Sequence, residues 1–423
     1  ALQTHFWFLV RALPRKKPTE SDRIELQSQV QHAFHQQFGA DQEGNILIAH
    51  SCRSIFYYII RYLLAHADNA KRNNDNDSNK PTIRICLPSL HFGSFYRLLR
   101  GMEKSMDCCI EFYEVDFISE KDLTLDQDAV DEDEFKKCDL LLCQNLFGLP
   151  LKQDRLIQLA KKYDIPILED CVQSGSLFGK YRGSPEADIV IYSGGLDKTP
   201  SCFGGGFGFF RKTSWGDEIF KFCHSLHEAL PVDTWQQRFT TCCNIMIHLM
   251  IAKNSFGFNN LIGLVSYVWL TERGEFINWY AISLKIRKAK AISPFQHAES
   301  GFLRRPSTYQ LHSMLYGFSK KQQMKDMAKH EELEGISEFT WVISPIGDRM
   351  HLCQFLNDHF MVLMINTTWE ADEKSKSTVG RHINNNLVYL PNINELNTSE
   401  IAHVGKALTA YCQELETSGE HEF

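Results

Sequence analysis

Hydrophobic positions in the first half of the chain follow two alternating patterns. Short runs of consecutive apolar residues, typical of strands buried on both faces, are bounded by polar turns. Between them lie longer segments in which apolar residues recur every three or four positions, as on one face of a helix. The predicted strands are 45–49, 82–87, 109–115, 140–144, 165–168, 189–192 and 206–210, and the predicted helices are 24–38, 55–64, 95–102 and 154–163.

This alternation predicts an α/β fold, with a large, mainly parallel sheet and helices on both faces. We assign residues 1–230 to this large domain, with a polar surface loop at 71–80. Residues 293–423 begin with a helix, continue with strand-like runs and end with a helix at 399–415, so they predict a smaller α+β C-terminal domain.

Residues 231–292 differ from both flanking regions because they are apolar and rich in aromatic side chains. The stretches 245–251 and 261–270 are each shorter than the roughly 20 residues that a helix needs to span a bilayer. The pattern favours an apolar helical insertion or a dimer-contact region. Membrane contact through the surface of this region is the alternative that the pattern does not favour.

Composition narrows the range of partners. The 423 residues carry a formal net charge of -7, which argues against a protein that binds nucleic acid by neutralising phosphates. The 13 cysteines show no repeating framework, which indicates reduced, mostly buried thiols in a cytoplasmic protein. No spacing typical of a zinc site occurs, so no metal is expected.

Two polar residues stand at strand ends where ligands are expected. Asp170 comes just after the apolar run 165–168, at the carboxyl end, where open α/β sheets bind their ligands. A carboxylate in that position is costly without a cationic partner, and the protonated pyridine nitrogen of pyridoxal phosphate (PLP) is such a partner. Ser193 follows the next apolar run, and its hydroxyl can bond a phosphate.

Lys198 lies five residues after Ser193, in a turn rich in glycine and proline. A lysine that leaves water becomes easier to deprotonate, which suits a nucleophile that forms a Schiff base. The glycines between Gly204 and Gly208 allow the backbone to pass close to a cofactor before the next strand.

These segments, taken together, resemble the DegT/StrS family of PLP-dependent aminotransferases, which have fold type I and are best known for aminating keto sugars linked to nucleotides. The matching segments are Glu169-Asp170-Cys171-Val172-Gln173, Ser193 to Lys198, and Gly204 to Gly206. The resemblance implies that Asp170 pairs with the pyridine nitrogen, Gln173 approaches the ring hydroxyl and Ser193 holds the phosphate. Lys198 would form the internal aldimine and move the α-proton, and the enzyme would be a homodimer.

Further segments resemble the family in the same order along the chain. Ser51-Cys52-Arg53 stands where the family has a Ser-Gly-Thr turn for the cofactor phosphate, with Arg53 as a charged substitute. In the family, the phenylalanine ring of a Pro-x-x-x-Phe segment stacks on PLP. The similar segment here contains His91 and Phe92, and the resemblance implies that one of these two rings stacks on PLP. The candidate substrate contacts are Asn145, which matches the first position of the family's His-Leu-Tyr-Gly, and Arg304 and Arg305 near its Arg-Met-x-x-x-Gln.

Each of these residues also has a purely structural interpretation. Lys198 and Arg53 are candidates for surface positions, and Asp170 for a helix N-cap. His91 is a candidate for a structural histidine and Asn145 for a turn residue.

Three functions therefore stay open at the level of sequence. The first is transamination from an amino-acid donor to a keto acceptor, which is a nucleotide-linked keto sugar by resemblance. The second is another PLP-dependent reaction, such as that of a lyase, dehydratase or decarboxylase, because the ring chemistry belongs to the cofactor. The third is a non-catalytic protein of the same fold, which the altered phosphate turn at Cys52 and Arg53 would favour.

Overall fold

The structure of the protein is a computed structural model. It describes residues 19–38, 43–67, 80–119, 124–146, 151–174, 181, 183–195, 202, 204–233, 303–327, 341–343, 351–352, 355, 365–366, 369–370, 377–389 and 398–418. The apolar region 231–292 lies almost entirely outside these residues, as do the polar tract 71–79 and Lys198.

A seven-stranded mixed sheet forms the centre of the molecule. Its strands are β1 (Gly44–Ala49), β2 (Thr82–Pro88), β4 (Cys109–Val115), β5 (Leu140–Gln144), β6 (Ile167–Asp170), β7 (Ile189–Ser193) and β8 (Gly206–Arg211). They lie in the order β1-β8-β7-β6-β5-β2-β4. Strands β7, β6, β5, β2 and β4 are parallel, whereas β8 runs antiparallel to both β7 and β1. The prediction of a mainly parallel sheet is confirmed.

Helices cover both faces of this sheet. They are α1 (Glu20–Phe38), α2 (Cys52–Ala65), α3 (Gly93–Met106), α4 (Glu132–Phe135), α5 (Asp154–Lys162) and α6 (Ser214–Glu228). One apolar cluster joins the sheet to α2, α3 and α6, and a second joins its other face to α1 and α5. Helix α2 is buried along most of its length because nine of its residues after Ser54 have large aliphatic or aromatic side chains, which lie on every side of the helix.

The C-terminal residues add further elements. They are α7 (Thr308–Met327), α8 (Val379–Asn386), α9 (Thr398–Ser418), β9 (Trp341–Ile343), β10 (Ile365–Asn366), β11 (Trp369–Glu370) and β12 (Leu387–Tyr389). Strands β10, β12 and β9 form a second sheet, and β11 pairs with the short β3 (His91–Phe92). The first half of α7 packs on the large sheet, where Phe318 contacts Phe34 and Phe207. The domain boundary at 293 stays a prediction.

None of the ten described cysteines forms a disulfide, and eight of them are buried. Burial raises the pKa of the Cys86, Cys143 and Cys171 thiols well above the ordinary value. These side chains therefore act as small apolar residues of the core. Among the described helices, none combines the length and the apolar character that crossing a bilayer requires.

His227 predicts a loss of stability in mild acid. Its fully buried ring is hydrogen bonded to the Tyr58 hydroxyl at 3.3 Å. Burial, then the nearby Arg305 and His224, lower its pKa from 6.5 to about 3. The unfolded chain therefore binds a proton below pH 6.5 that the folded chain refuses until about pH 3. We expect the free energy of unfolding to fall by about 2 kcal/mol between pH 7 and pH 5 from this group.

Denaturant titrations at the two pH values test this expectation against the variant His227→Asn, whose amide keeps a partner for Tyr58. The pH-dependent loss should shrink by about 2 kcal/mol in the variant. An equal loss in both proteins would show that other groups cause it.

Candidate functional site

Four strand ends meet at one edge of the large sheet. Gln144, Asp170 and Ser193 are the last residues of the adjacent strands β5, β6 and β7. Gly206 begins β8 and pairs with Ser193, and its neighbour Gly205 forms a bridge to Ser51. Two positions before these strand ends, one apolar cluster on one face of the sheet contains Leu142, Leu168 and Ile191. Because side chains alternate along a strand, Gln144, Asp170 and Ser193 point to that same face.

Asp170 is the most constrained residue at this edge. Its carbonyl accepts the Asn145 N–H at 3.3 Å, so the backbone stays paired with the segment that follows β5. Its carboxylate accepts the Val172 N–H at 3.0 Å through Oδ1 and the Gln144 Nε2–H at 3.2 Å through Oδ2. The residue is 6% exposed. Asp170 thus ends a buried strand, and its carboxylate is held both by the turn that follows and by the neighbouring strand.

Ser51 and the start of α2 form a helix N-terminal turn whose chemistry suits an anion, and we call this turn the anion cup. The Ser51 hydroxyl caps the helix by accepting the Ser54 N–H at 3.3 Å. The first N–H groups of a helix have no acceptors within it, and their dipoles favour negative charge. Gly206 lies against this turn so closely that a Cβ there would stand 2.1 Å from the Cys52 nitrogen. Gly206 therefore supports the turn by close backbone contact, while the expected approach of the glycine run to a cofactor stays a prediction.

Cys52 and Arg53 occupy the first two positions of α2. The Cys52 side chain is buried, whereas the Arg53 side chain is exposed. Desolvation by the surrounding protein nevertheless lowers the pKa of the Arg53 guanidinium, and Arg97 lowers it further. A guanidinium beside the N-terminus of a helix is suited to bind an anion.

His91 and Phe92 lie on the short strand β3. The His91 ring is buried and contacts the rings of Tyr96 and Phe112, with centroids 5.4 and 5.8 Å apart. Phe92 is half-buried, contacts Phe95 edge to face and packs against both apolar clusters. Of the two candidates for stacking on a cofactor, the geometry favours Phe92, because His91 is enclosed by its own neighbours.

Asn145 belongs to a buried polar network on the opposite side of the strand ends. Its amide nitrogen donates to Glu169 Oε1 at 2.7 Å and to Ser174 Oγ at 2.8 Å, and its Oδ1 accepts the Leu151 N–H at 3.3 Å. Glu169 also accepts from the Tyr181 hydroxyl. These contacts hold together the segments that follow β5 and β6, while the role of Asn145 in binding substrate stays a prediction.

The two arginines near the start of α7 have different surroundings. Arg305 donates to the Leu230 carbonyl and pairs with Glu228, both at 2.9 Å. Arg304 lines a cavity of about 610 Å³ together with Arg61. The nearby Gln310 is fully buried, and its Nε2–H donates to the His50 carbonyl at 2.7 Å, which ties α7 to the anion cup. The contacts of Arg304 and Arg305 with a substrate stay predictions.

Lys198 lies outside the described residues, but the segments on both sides of it are described. The Gly194 carbonyl accepts the N–H groups of Cys202 at 3.0 Å and Gly204 at 2.9 Å. The Gly194 N–H donates to the Gly205 carbonyl at 3.0 Å. The two chain segments that flank Lys198 therefore meet beside Ser193, at the same sheet edge as Asp170.

This edge fits PLP at both ends of the cofactor. Among the described residues, Gln144 Oε1 and Gln173 Oε1 are buried without a hydrogen-bond partner, and Asp170 lies beside Gln144. Such a set of acceptors suits a protonated ring nitrogen and a ring hydroxyl, which are donors. The anion cup at Ser51 suits a phosphate, and Ser193 on β7 is joined to it through the glycines at the start of β8.

Sequence reasoning did not identify Gln144 or Glu169 as parts of the site. The Gln144 contact depends on the register in which β5 and β6 pair, where Gln144 stands opposite Asp170. A glutamine at the end of an apolar run was the available signal, since a buried amide needs partners. Glu169 lies within the Glu-Asp motif, yet its contacts with Asn145 and Tyr181 could not be predicted from spacing alone.

The close contact at Gly206 predicts the effect of adding a single methyl group. In Gly206→Ala the new Cβ would stand 2.1 and 2.3 Å from backbone atoms of Cys52 and Ser51, so the turn must move. We expect the free energy of unfolding to fall by about 1–3 kcal/mol. We also expect PLP to bind more weakly in a fluorescence titration.

Gly405→Ala is the matched control, because its Cβ would meet no atom within 4 Å and the residue lies inside helix α9. This variant should gain about 0.5–1 kcal/mol of stability from helix propensity and bind PLP normally. Equal behaviour of the two variants would contradict the close contact.

Solved structures with the same fold include aminotransferases. A putative sugar aminotransferase from Streptococcus pneumoniae in its PMP form is 13% identical, with 98% of this chain and 97% of that chain covered at a TM-score of 0.57. A DegT DnrJ EryC1 StrS aminotransferase from Brucella abortus is 11% identical, with 97% and 95% covered at a TM-score of 0.56. The ntda protein of Bacillus subtilis with bound PMP is 12% identical, with 97% and 81% covered at 0.57.

No protein-family model matches the sequence, and the comparison with curated proteins finds no match. The structural likeness extends over nearly the whole chain, so the chain has the fold of the type I aminotransferases. The fold class that the sequence predicted is confirmed.

Proposed function

We propose that this protein is a PLP-dependent aminotransferase of the DegT/StrS type. The observation that carries the proposal is the sheet edge at which Asp170, held by Gln144 and Val172, lies on the strand next to the one that ends at Ser193. The anion cup at Ser51 lies two strands farther along the same edge. A carboxylate for a ring nitrogen and a cup for a phosphate are the two ends of a PLP site.

Each residue has a defined task in this proposal. Asp170 holds the proton on the pyridine nitrogen, and Gln173 accepts the hydrogen bond of the ring hydroxyl through its Oε1. Ser51, Cys52, Arg53 and Ser193 hold the phosphate through hydroxyl groups, backbone N–H groups and the guanidinium. Phe92 packs against the ring. Lys198 attaches the cofactor covalently and carries the α-proton of the substrate. When bound, PLP supplies the electron sink that makes removal of this proton possible.

The substrates that we propose are an amino-acid donor and a keto acceptor. The likeness to structures of sugar aminotransferases supports a keto sugar as the acceptor, and the resemblance of the motifs supports a nucleotide-linked one. We further propose a cytoplasmic homodimer, and the compartment is supported by the described cysteines, none of which forms a disulfide. Asn145 and Arg304 are the residues we propose for substrate contact, with Arg305 holding the segment of Arg304 in place.

A half-reaction tests transamination directly. The purified protein is loaded with PLP, the free cofactor is removed, and glutamate is added in excess. Conversion of the bound cofactor to pyridoxamine phosphate, followed by absorbance and chromatography, is the expected result. Release of ammonia or carbon dioxide without pyridoxamine phosphate would instead identify a lyase or decarboxylase. A folded protein that binds no PLP would overturn the proposal in favour of a non-catalytic protein.

A further inference from the structure

Gln144 is a buried amide that contacts the ring-binding carboxylate and belongs to none of the motifs in the sequence. It is 0% exposed and ends β5, directly opposite Asp170 in the pairing of β5 with β6. Its Nε2–H donates to Asp170 Oδ2 at 3.2 Å. Because the two strands are parallel and in register, the two side chains leave the sheet on the same face.

The orientation of the Gln144 amide is fixed by its partner. If the amide were turned over, its Oε1 would face the Asp170 carboxylate, and two acceptors would meet without a proton between them. The donor therefore faces Asp170, and Oε1 is left buried without a partner among the described residues. A buried acceptor without a partner is unfavourable. A ligand that donates a hydrogen bond to Oε1 would therefore stabilise this arrangement.

The contacts of Asp170 define what Gln144 does. Oδ1 is held by the Val172 N–H of the turn that follows, and Oδ2 is held by Gln144 across the sheet. Two donors, one on each oxygen, fix the plane of the carboxylate and stabilise its ionised form. Without Gln144, Oδ2 would lose this charge-assisted hydrogen bond, and the carboxylate would lose its contact with the neighbouring strand.

We propose that Gln144 is a positioning residue for the cofactor ring, acting through Asp170. This inference rests on the proposed function, because it assigns Asp170 to the pyridine nitrogen. Gln144 orients the carboxylate toward the ring nitrogen and keeps it ionised, so that it holds the ring proton. The residue has no contact with the transferred amine and carries no proton in the reaction.

A double-mutant cycle on PLP affinity tests this inference. Gln144→Met removes the amide at similar length, and we expect the dissociation constant for PLP to rise about tenfold, as for loss of a hydrogen bond to a charged group. Asp170→Asn should weaken binding more strongly. If Gln144 acts through Asp170, adding Gln144→Met to Asp170→Asn should change the dissociation constant by less than about twofold.

Gln153→Met is the matched control, because Gln153 is also a buried glutamine with an unpartnered Oε1 but precedes α5. It should leave PLP affinity unchanged in the wild-type and Asp170→Asn backgrounds. Circular dichroism and thermal unfolding of each PLP-free variant show whether the variant is folded. If Gln144→Met does not fold, Gln144→His replaces it, because the histidine ring keeps a hydrogen-bond donor.

Three outcomes overturn the inference. Equal tenfold losses from Gln144→Met with and without Asp170→Asn would show that Gln144 acts independently of Asp170. Unchanged affinity in Gln144→Met would show that it has no role in holding the ring. If the wild-type protein itself binds no PLP, the proposed function fails and this inference fails with it, whereas the first two outcomes leave the proposed function intact.

Discussion

Replacing Lys198 by alanine is expected to abolish transamination by the PLP-loaded protein, with a loss of about 10,000-fold or more in turnover. The variant loses both the amine that attaches the cofactor and the base that carries the α-proton. The fold should persist, because the segments that flank Lys198 are held by backbone hydrogen bonds at Gly194. Single-turnover rates with glutamate, measured with the wild-type protein and the variant, give the ratio.

Lys212→Ala provides the control for this experiment. Lys212 follows β8 at the opposite edge of the sheet and pairs with Glu43 at 3.0 Å on the surface. An exposed ion pair of this kind contributes little to stability, so the variant should retain the wild-type rate. If Lys198→Ala reacted at the wild-type rate, Lys198 would have no role in the reaction.

Asp170→Asn is expected to reduce turnover about 1,000-fold while leaving the protein folded. An asparagine fits the same space but supplies no negative charge, and the loss of one partner of a buried charge pair costs about 3–5 kcal/mol. The asparagine amide would also lie against the Gln144 N–H. It can turn its own N–H toward this group, and the two donors would then face each other. Rates of the glutamate half-reaction at saturating PLP provide the measurement.

Asp188→Asn separates this effect from the general cost of altering a buried carboxylate. Asp188 lies just before β7 at the other edge of the sheet, where it accepts the Ile167 N–H at 2.9 Å and the Thr213 hydroxyl at 2.6 Å. Its variant should lose stability but keep the wild-type rate per folded molecule. Similar rate losses in both variants would contradict the special role of Asp170.

The large sheet could be predicted from the sequence because its strands are apolar runs. All seven predicted strands exist, although β6 extends to Asp170, two residues beyond the predicted end. Helix α6 was not predicted, since it begins with Ser214, Trp215 and Gly216, which have modest or poor helix propensity. Gly216 is needed there because a Cβ would stand 2.1 Å from the Arg211 carbonyl oxygen. This requirement comes from tertiary packing and leaves no periodic pattern.

Some residues of the candidate site could likewise be predicted from the sequence, and others could not. Asp170 and Ser193 could be placed from the sequence, because each ends an apolar run and carboxyl ends of parallel strands share an edge. Gln144 and the network of Glu169 with Asn145 could not, because their contacts depend on strands paired across 24 to 26 positions in sequence. The choice between His91 and Phe92 likewise needed the positions of Tyr96 and Phe112 around the histidine ring.

A peptide map after borohydride reduction tests the central proposal most directly. The purified protein is incubated with PLP, reduced, digested and analysed by mass spectrometry, with Lys198→Ala treated in parallel. We predict one phosphopyridoxyl group per chain, on the peptide that contains Lys198, and none at a defined position in the variant. A wild-type protein that is folded but carries no such group, or carries it only on other lysines, would contradict the assignment of this sheet edge as a PLP site.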